Sequence, residues 1–420
     1  MSEPSRRQAD DRCPGVFDPH PAADGALVRI RLLGGRLTPA QMLALSQVSA
    51  EWGDGFLELT ARGNMQVRGI DDVETAGNAL SAAGLVPSTS HEKVRNIEMS
   101  PLTGRLGGSA DVAPIATALD EALRADDGLA DLSGRFLFGV DDGRGDVVAR
   151  RPDICAVAWR DRTDLGADLV IDGSPAGSVS DLSAAADAMV AVARDMRAMV
   201  VPAVPGAQRV WRIRDLDAQT RRQLIESARR RLDRPRLDKR RLDERRRDEL
   251  RRDRPGSAEL RADPTVVTPD ATGPIVGWFE QENGRVLLGG VVELGRIPSR
   301  LAEFLAAIGA PMVITPDREI LICDLTEGVA ETVVRVLAPM GLIFDAASAW
   351  VQVSSCAGAP GCASAHAPVR EDLRRRVESG REVAGREHWV GCSRGCGSPA
   401  GAYLRVEAGP DGYRDTHRPG

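Results

Sequence analysis

Four of the seven cysteines fall in the last 65 residues, at a spacing that could do chemistry. Cys356 and Cys362 lie in WVQVSSCAGAPGCASA, and Cys392 and Cys396 lie in HWVGCSRGCGSP. The pattern is C-x5-C, then 29 residues, then C-x3-C. At both places an extended apolar run is expected to deliver the chain into a Gly/Ser/Pro-rich loop. Four thiolates converging from two such loops suit a [4Fe-4S] cluster, which is held by cysteine sulfur. Gly358, Gly361, Gly391, Gly395 and Gly397 would let the backbone approach closely and turn N–H groups toward the sulfurs. A zinc ion is the main rival, although zinc sites usually pair their cysteines more tightly, at C-x2-4-C. Disulfides would need an oxidising compartment that nothing else in the sequence supports. Cys155 and Cys323 stand alone and are expected as small core hydrophobes, while Cys13, opening CPGVF, could lie near a site.

The elements that must position these loops read as α+β, with a diverged internal repeat. Residues 25–37 (GALVRIRLLGGRL) form an extended apolar stretch ending in a Gly-Arg turn. TPAQMLALSQVSAEW then has Thr38 as N-cap, Pro39 at the first helical position and apolar residues at helical spacing. GFLELTARGNMQVRGI alternates like a strand pair, and a second helix over 71–83 ends at Gly84. The same order recurs in GGVVELGRI, PSRLAEFLAAIG, PMVITPDREILICDL and EGVAETVVRVLAPMG. Gly35-Arg36 maps to Gly295-Arg296 with an offset of 260, and Gly84-Leu85 to Gly341-Leu342 with an offset of 257. Two β-α-β-β-α units are therefore predicted.

Length and composition bound the rest. The 420 residues allow two to four domains. The net charge of −6 gives no general case for nucleic-acid binding, and no apolar run is long enough to span a membrane. The polar start, MSEPSRRQADDR, lacks the apolar core of a secretory signal, so a cytoplasmic location is expected. Residues 229–254 hold 14 basic and 7 acidic residues and read as a solvated helix or mixed-charge linker. Six segments are expected: a disordered tail (1–12), a ferredoxin-like half-domain (13–90), a first larger domain (91–210), a charged insertion or linker (211–270), a second half-domain (271–346) and the cluster-binding domain (347–420).

With these residues in view, the chain resembles the nitrite and sulfite reductase superfamily. The C-x5-C…C-x3-C signature carries the likeness, with the duplicated units on either side of a linker. It covers most of residues 13–405. The resemblance implies duplicated ferredoxin-like units plus nitrite/sulfite reductase cluster domains with pseudo-two-fold symmetry. LTARGNMQVRGI is similar to the family's Thr-x-Arg-x-x-x-Gln segment facing the tetrapyrrole, here Thr60, Arg62 and Gln66. VRNIEMSPLTG is similar to its Arg-Asn-Ile/Val segment, here Arg95 and Asn96. GRFLFGVDDG is similar to the segment that supplies two active-site lysines, but Arg135 stands at the first position and Leu137 at the second. Leucine cannot deliver a proton and arginine is a poor donor, so the acid equipment for sulfite or nitrite reduction is missing.

CPGVFDPHPAADGALVRIRLLGGRLT, FLFGVDDGRGD and CAGAPGCASA resemble instead the precorrin-hydroxylating branch of the superfamily. That resemblance implies a monooxygenase acting on precorrin-3A at C-20 with γ-lactone formation, in aerobic cobalamin biosynthesis. It also implies O2 as oxidant, a [4Fe-4S] cluster and a mononuclear non-haem iron. Sirohaem is the alternative cofactor, for a sulfite or nitrite reductase. No GxGxxG opens a helix after a strand, so NADH is expected to act through an external reductase or ferredoxin. Arg62, Gln66, Arg95, Asn96 and Arg135 are the expected substrate contacts, because guanidinium groups pair with the macrocycle's acetate and propionate arms. Arg68 and Arg394 are weaker candidates. No catalytic residue is assigned. His20, His91, His366, His388 and His417 show no paired spacing, so none is assigned to iron, although His366 and His388 are expected near the cluster loops.

Overall fold

A computed structural model describes residues 11, 13–162, 164–200, 210–233 and 273–419. Most of the expected tail and most of the 229–254 charged run lie outside the described residues. The chain forms two compact units. One, the repeat unit, takes residues 16–30 and 36–85 together with the chain from 273 onward. The other, the mixed-sheet unit, takes residues 11–15, 31–35 and 86–233.

The repeat unit contains the two β-α-β-β-α motifs. Its first sheet starts with β1 (His20–Ala22) and β2 (Gly25–Ile30). The chain continues through β3 (Arg36–Leu37), α1 (Pro39–Trp52), β4 (Phe56–Leu59), β5 (Met65–Ile70) and α2 (Val73–Ala82). The second copy has β6 (Gly277–Glu280), β7 (Val286–Val292), β8 (Arg296–Pro298), α3 (Ser299–Ala307), β9 (Met312–Ile314), β10 (Ile320–Leu325) and α4 (Glu327–Leu337). Matching signals start both copies. Gly34 and its counterpart Leu294 both adopt left-handed backbone, with φ of 57° and 58°. At α1, Thr38 accepts from the Gln41 amide while the Gln41 side chain reaches back to the Thr38 amide, a complete capping box.

The two copies exchange a strand. One sheet runs β1-β2-β5-β4-β8 and the other β6-β7-β10-β9-β3. Arg296 thus pairs with Glu58, and Arg36 pairs with Val313. Helices α1 and α3 pack together, burying Met42, Leu45 and Val48 on one side and Leu301, Ala302 and Leu305 on the other. Each sheet is therefore completed by the other copy, which makes the pair one folding body despite the long insertion between them. This is the duplicated, pseudo-symmetric α+β architecture expected from the sequence.

The mixed-sheet unit has a five-stranded sheet in the order Ser174–Val179, Asp164–Ile171, Ile154–Asp161, Phe138–Asp141, Ile97–Met99. Helices Ala113–Arg124, Ala185–Met199 and Ala218–Arg229 cover its core of Leu119, Leu123, Phe136, Phe138 and Met189. The last of these helices precedes Asp233, which bridges to Ser178, so the start of the expected linker belongs to this unit. Cys155 and Cys323 have no exposed surface, as isolated core thiols should.

Candidate metal centre

The cysteine loops spring from a four-stranded sheet in the repeat unit: β11 (Val353–Ser355), β12 (Glu387–Val390), β13 (Tyr403–Gly409) and β14 (Gly412–Arg418). The apolar run before Cys356 is only partly extended, because Ala349–Gln352 closes a helical turn capped by Ser348. β11 and β12 are parallel, with Ser354 opposite His388. Parallel neighbours end at the same sheet edge, so Cys356 and Cys392 leave the sheet side by side. Helix α5 (Val369–Glu378) follows the first loop.

Backbone bonds fold the loops over one another. The Gly391 amide donates to Cys356 Sγ at 3.2 Å, and the His366 amide donates to Gly391 O at 2.8 Å. Cys362 turns back onto Gly358 O at 2.9 Å. A Cβ at Gly391 would sit 2.6 Å from the Ala365 Cβ, so this crossing requires glycine. Burial pushes the Cys356 and Cys396 thiols up, and the neighbouring cysteines push them further: Cys362 and Cys392 act on Cys356, and all three others act on Cys396. The four sulfurs thus share one electrostatic site. Yet no three of them lie within 4.8 Å of one another. A tetrahedral zinc ion with bonds of about 2.3 Å would draw its sulfurs to about 3.8 Å. The donor set is four thiols, gathered but wider than a single-ion shell, with a backbone N–H already aimed at sulfur; it fits a cluster of several irons.

Buried polar groups brace the loops. His388 is fully buried, with Nε2 3.0 Å from Cys396 O and Nδ1 2.8 Å from Ser354 Oγ. Burial, with Arg318 and Arg405 nearby, pushes its pKa down to about 3. The imidazole is neutral, and both ring nitrogens are engaged. Arg405 donates to the Cys392 and Ser393 carbonyls, Arg318 donates to Gly397 O, and Arg68 donates to Gly361 O at 2.6 Å while pairing with Asp24. Arg68 therefore serves the first cysteine loop through a peptide carbonyl. Arg318 and Arg405 carry no motif and were not distinguishable among so many arginines.

The expected substrate contacts divide between the two units. In the repeat unit, Arg62 lies on the β4–β5 turn, where the Thr60 amide bonds Asn64 O at 2.9 Å. Gln66 donates to Glu58 at 2.7 Å and accepts from Arg29 at 3.0 Å. In the mixed-sheet unit, Arg95 is buried and ion-paired with Asp120. Asn96 is buried, accepting from Arg31 at 3.0 Å and donating to Gly134 O at 2.8 Å. These two side chains are spent inside the unit. Arg135 is about half exposed and lies over the Trp211 ring. Leu137 is buried, and its amide donates to Asp153. Cys13 Sγ lies 3.5 Å from the Arg31 guanidinium and 3.3 Å from Gly134 O. Asp141, Asp142 and Asp146 bring three carboxylates together, but Asp141 accepts from four backbone amides and Asp142 pairs with Arg144, which is the chemistry of a braced turn.

Residues 20–81, covering the first repeat from β1 to α2, match the model of the nitrite/sulfite reductase ferredoxin-like half domain. The second copy has the matching element order and exchanges a strand with the first. Over 419 residues the chain is 26% identical to a precorrin-3B synthase of a Sinorhizobium species, covering 96% of this chain and 81% of that protein. It is also 37% identical over 95 residues to a ferredoxin–nitrite reductase of Leptolyngbya laminosa, covering 21% and 18% of the two chains. The NirA protein of Mycobacterium tuberculosis has the same fold, with a TM-score of 0.65 at 20% identity, covering 93% of this chain and 73% of that one. Among the described residues, no helix is long and apolar enough to cross a membrane.

Proposed function

We propose that this protein is an oxidoreductase holding one [4Fe-4S] cluster on Cys356, Cys362, Cys392 and Cys396, and that it hydroxylates precorrin-3A at C-20 with γ-lactone formation. The convergence of those four thiols carries the reading. When bound, the cluster would supply electrons one at a time, drawn from an external donor. The likeness to precorrin-3B synthase along nearly the whole chain supports the substrate. Leu137 supports hydroxylation over sulfite or nitrite reduction, because a buried leucine offers no proton where the reductases have lysine.

Arg62 is the residue we assign to a carboxylate arm of the macrocycle. Its turn packs against the one that reaches the cysteine loops: a Cβ at Gly63 would lie 2.8 Å from Ile314 O and 3.6 Å from Pro316. Arg62 and the cysteine loops thus belong to one body. Gln66 shares strand β5, where its bonds to Glu58 and Arg29 orient it. Arg135 remains the candidate of the mixed-sheet unit, where the buried Asn96 bonds Gly134 O beside it and Arg95 is held by Asp120. Replacing Arg62 with alanine should raise KM about tenfold, the worth of one charge-assisted hydrogen bond, with iron content unchanged.

The reaction is tested by incubating cluster-loaded protein with precorrin-3A, O2 and a reductant. A product heavier by one oxygen atom is expected. Absence of that product from cluster-loaded protein, together with an intense Soret band from extractable sirohaem, would favour the reductase alternative.

A further inference from the structure

The two repeats carry the same five-residue turn, put to different use. In the first copy the Thr60 amide bonds Asn64 O, and the Gly63 amide bonds Thr60 O. In the second, the Thr315 amide bonds Glu319 O at 3.0 Å, and the Arg318 amide bonds Thr315 O at 3.0 Å. Gly63 and Arg318 occupy the same place, with φ of 62° and 66°. That backbone suits glycine and strains a residue with a Cβ. Arginine at the strained position therefore needs a reason, and its guanidinium supplies one by donating to Gly397 O, next to Cys396.

Two other guanidinium groups do the same. Arg405, 8% exposed, holds the carbonyls of Cys392 and Ser393, and a Cβ at Gly395 would lie 3.0 Å from its Nη1. Arg68, 5% exposed, holds Gly361 O, next to Cys362. Each of the four carbonyls belongs to a cysteine or to its immediate neighbour. We propose that Arg68, Arg318 and Arg405 are positioning residues for the cluster, clamping the two cysteine loops by their carbonyls and placing positive charge beside the iron. The inference rests on the cluster reading above.

The three should differ. Arg68 is paired with Asp24, so its charge is compensated and its role is mainly geometric. Arg405 faces Glu407 at 2.7 Å, which offsets part of its charge. Arg318 should also act electrostatically, since a nearby cation favours the more negative, reduced state of a cluster.

Arg318→Gly is the decisive variant, because glycine relieves the left-handed backbone and matches Gly63. The protein is first assayed as isolated for iron and sulfide; if these are absent, the cluster reading itself fails. With the cluster present, Arg318→Gly should shift the midpoint potential to more negative values in an anaerobic titration followed by electron paramagnetic resonance. It should also release iron to a chelator about tenfold faster, with an unchanged melting temperature. Arg318→Lys should return the potential toward the parent value, while iron release stays fast. For Arg68, the pair Arg68→Gln with Asp24→Asn removes both charges together and should speed iron release with a smaller potential shift. Parent potential and parent iron release in Arg318→Gly would overturn the proposal.

Discussion

Cys392→Ala should leave the protein without an intact cluster and without product. Cys392 leaves β12 beside Cys356, and the one thiol of the repeat unit outside the two loops, Cys323, is fully buried on β10 and cannot take its place. Iron and sulfide per chain should each fall from about four toward zero, and the broad visible absorbance should fade with them. Cys323→Ala is the control. It removes a fully buried sulfur from β10, should cost only about 1 kcal/mol of stability, and should leave sulfide content at the parent value. A full complement of iron and sulfide in Cys392→Ala would remove the basis of the functional reading. So would equal loss in the control.

Glu58→Ala should be the most destabilising of the single changes considered, by about 3 kcal/mol in urea unfolding, because it leaves the partly buried Arg370 guanidinium without its carboxylate and Arg296 with Asp54 alone. Glu58 lies on β4, 4% exposed, and is the meeting point of three chain segments. Gln66 of the first copy donates to it, Arg296 of the second copy lies 3.4 Å away, and Arg370 of α5, just after the first cysteine loop, donates to it. Arg296 is further held by Asp54 at 2.7 Å and by the Phe56 ring. Burial opposes the charge on Glu58, but Arg370, Gln66, Arg68 and Arg296 outweigh it and hold the carboxyl below its ordinary value of 4.5. Its contribution is therefore complete above pH 4.5 and is lost as the pH falls through the lower, folded value. The stability difference between parent and Glu58→Ala should accordingly shrink in acid. Equal unfolding midpoints at neutral pH would show that the hub carries no net stabilisation.

How legible each feature was depended on whether its cause was local. The capping box at Thr38, the left-handed Gly35 and Gly295, and the alternation of β4 and β5 are written in neighbouring residues, so the repeat could be read directly. The spacing of Cys356, Cys362, Cys392 and Cys396 carried its chemistry for the same reason. The run before Cys356 reads as extended but closes a turn over Ala349–Gln352, because so short a stretch has no clear period and Ser348 caps it.

The arginines mark the boundary between the two kinds of information. Nearly every basic residue is arginine, with only Lys93 and Lys239 as lysine, so residue type could not say which guanidinium meets a substrate, a carboxylate or a peptide carbonyl. Arg95 shared a motif with Asn96 but is paired internally with Asp120, and Arg318, outside any motif, reaches Gly397.

By itself, then, the sequence determined the repeated β-α-β-β-α units and the spacing of the four loop cysteines, since periodicity, caps and spacing act over a few residues. Only the tertiary structure decided the exchange of β3 and β8, the Glu58 hub and the arginine contacts with the cysteine loops. Those depend on partners up to hundreds of residues apart, such as Arg68 and Gly361, whose meeting is set by how sheets close and charges are buried.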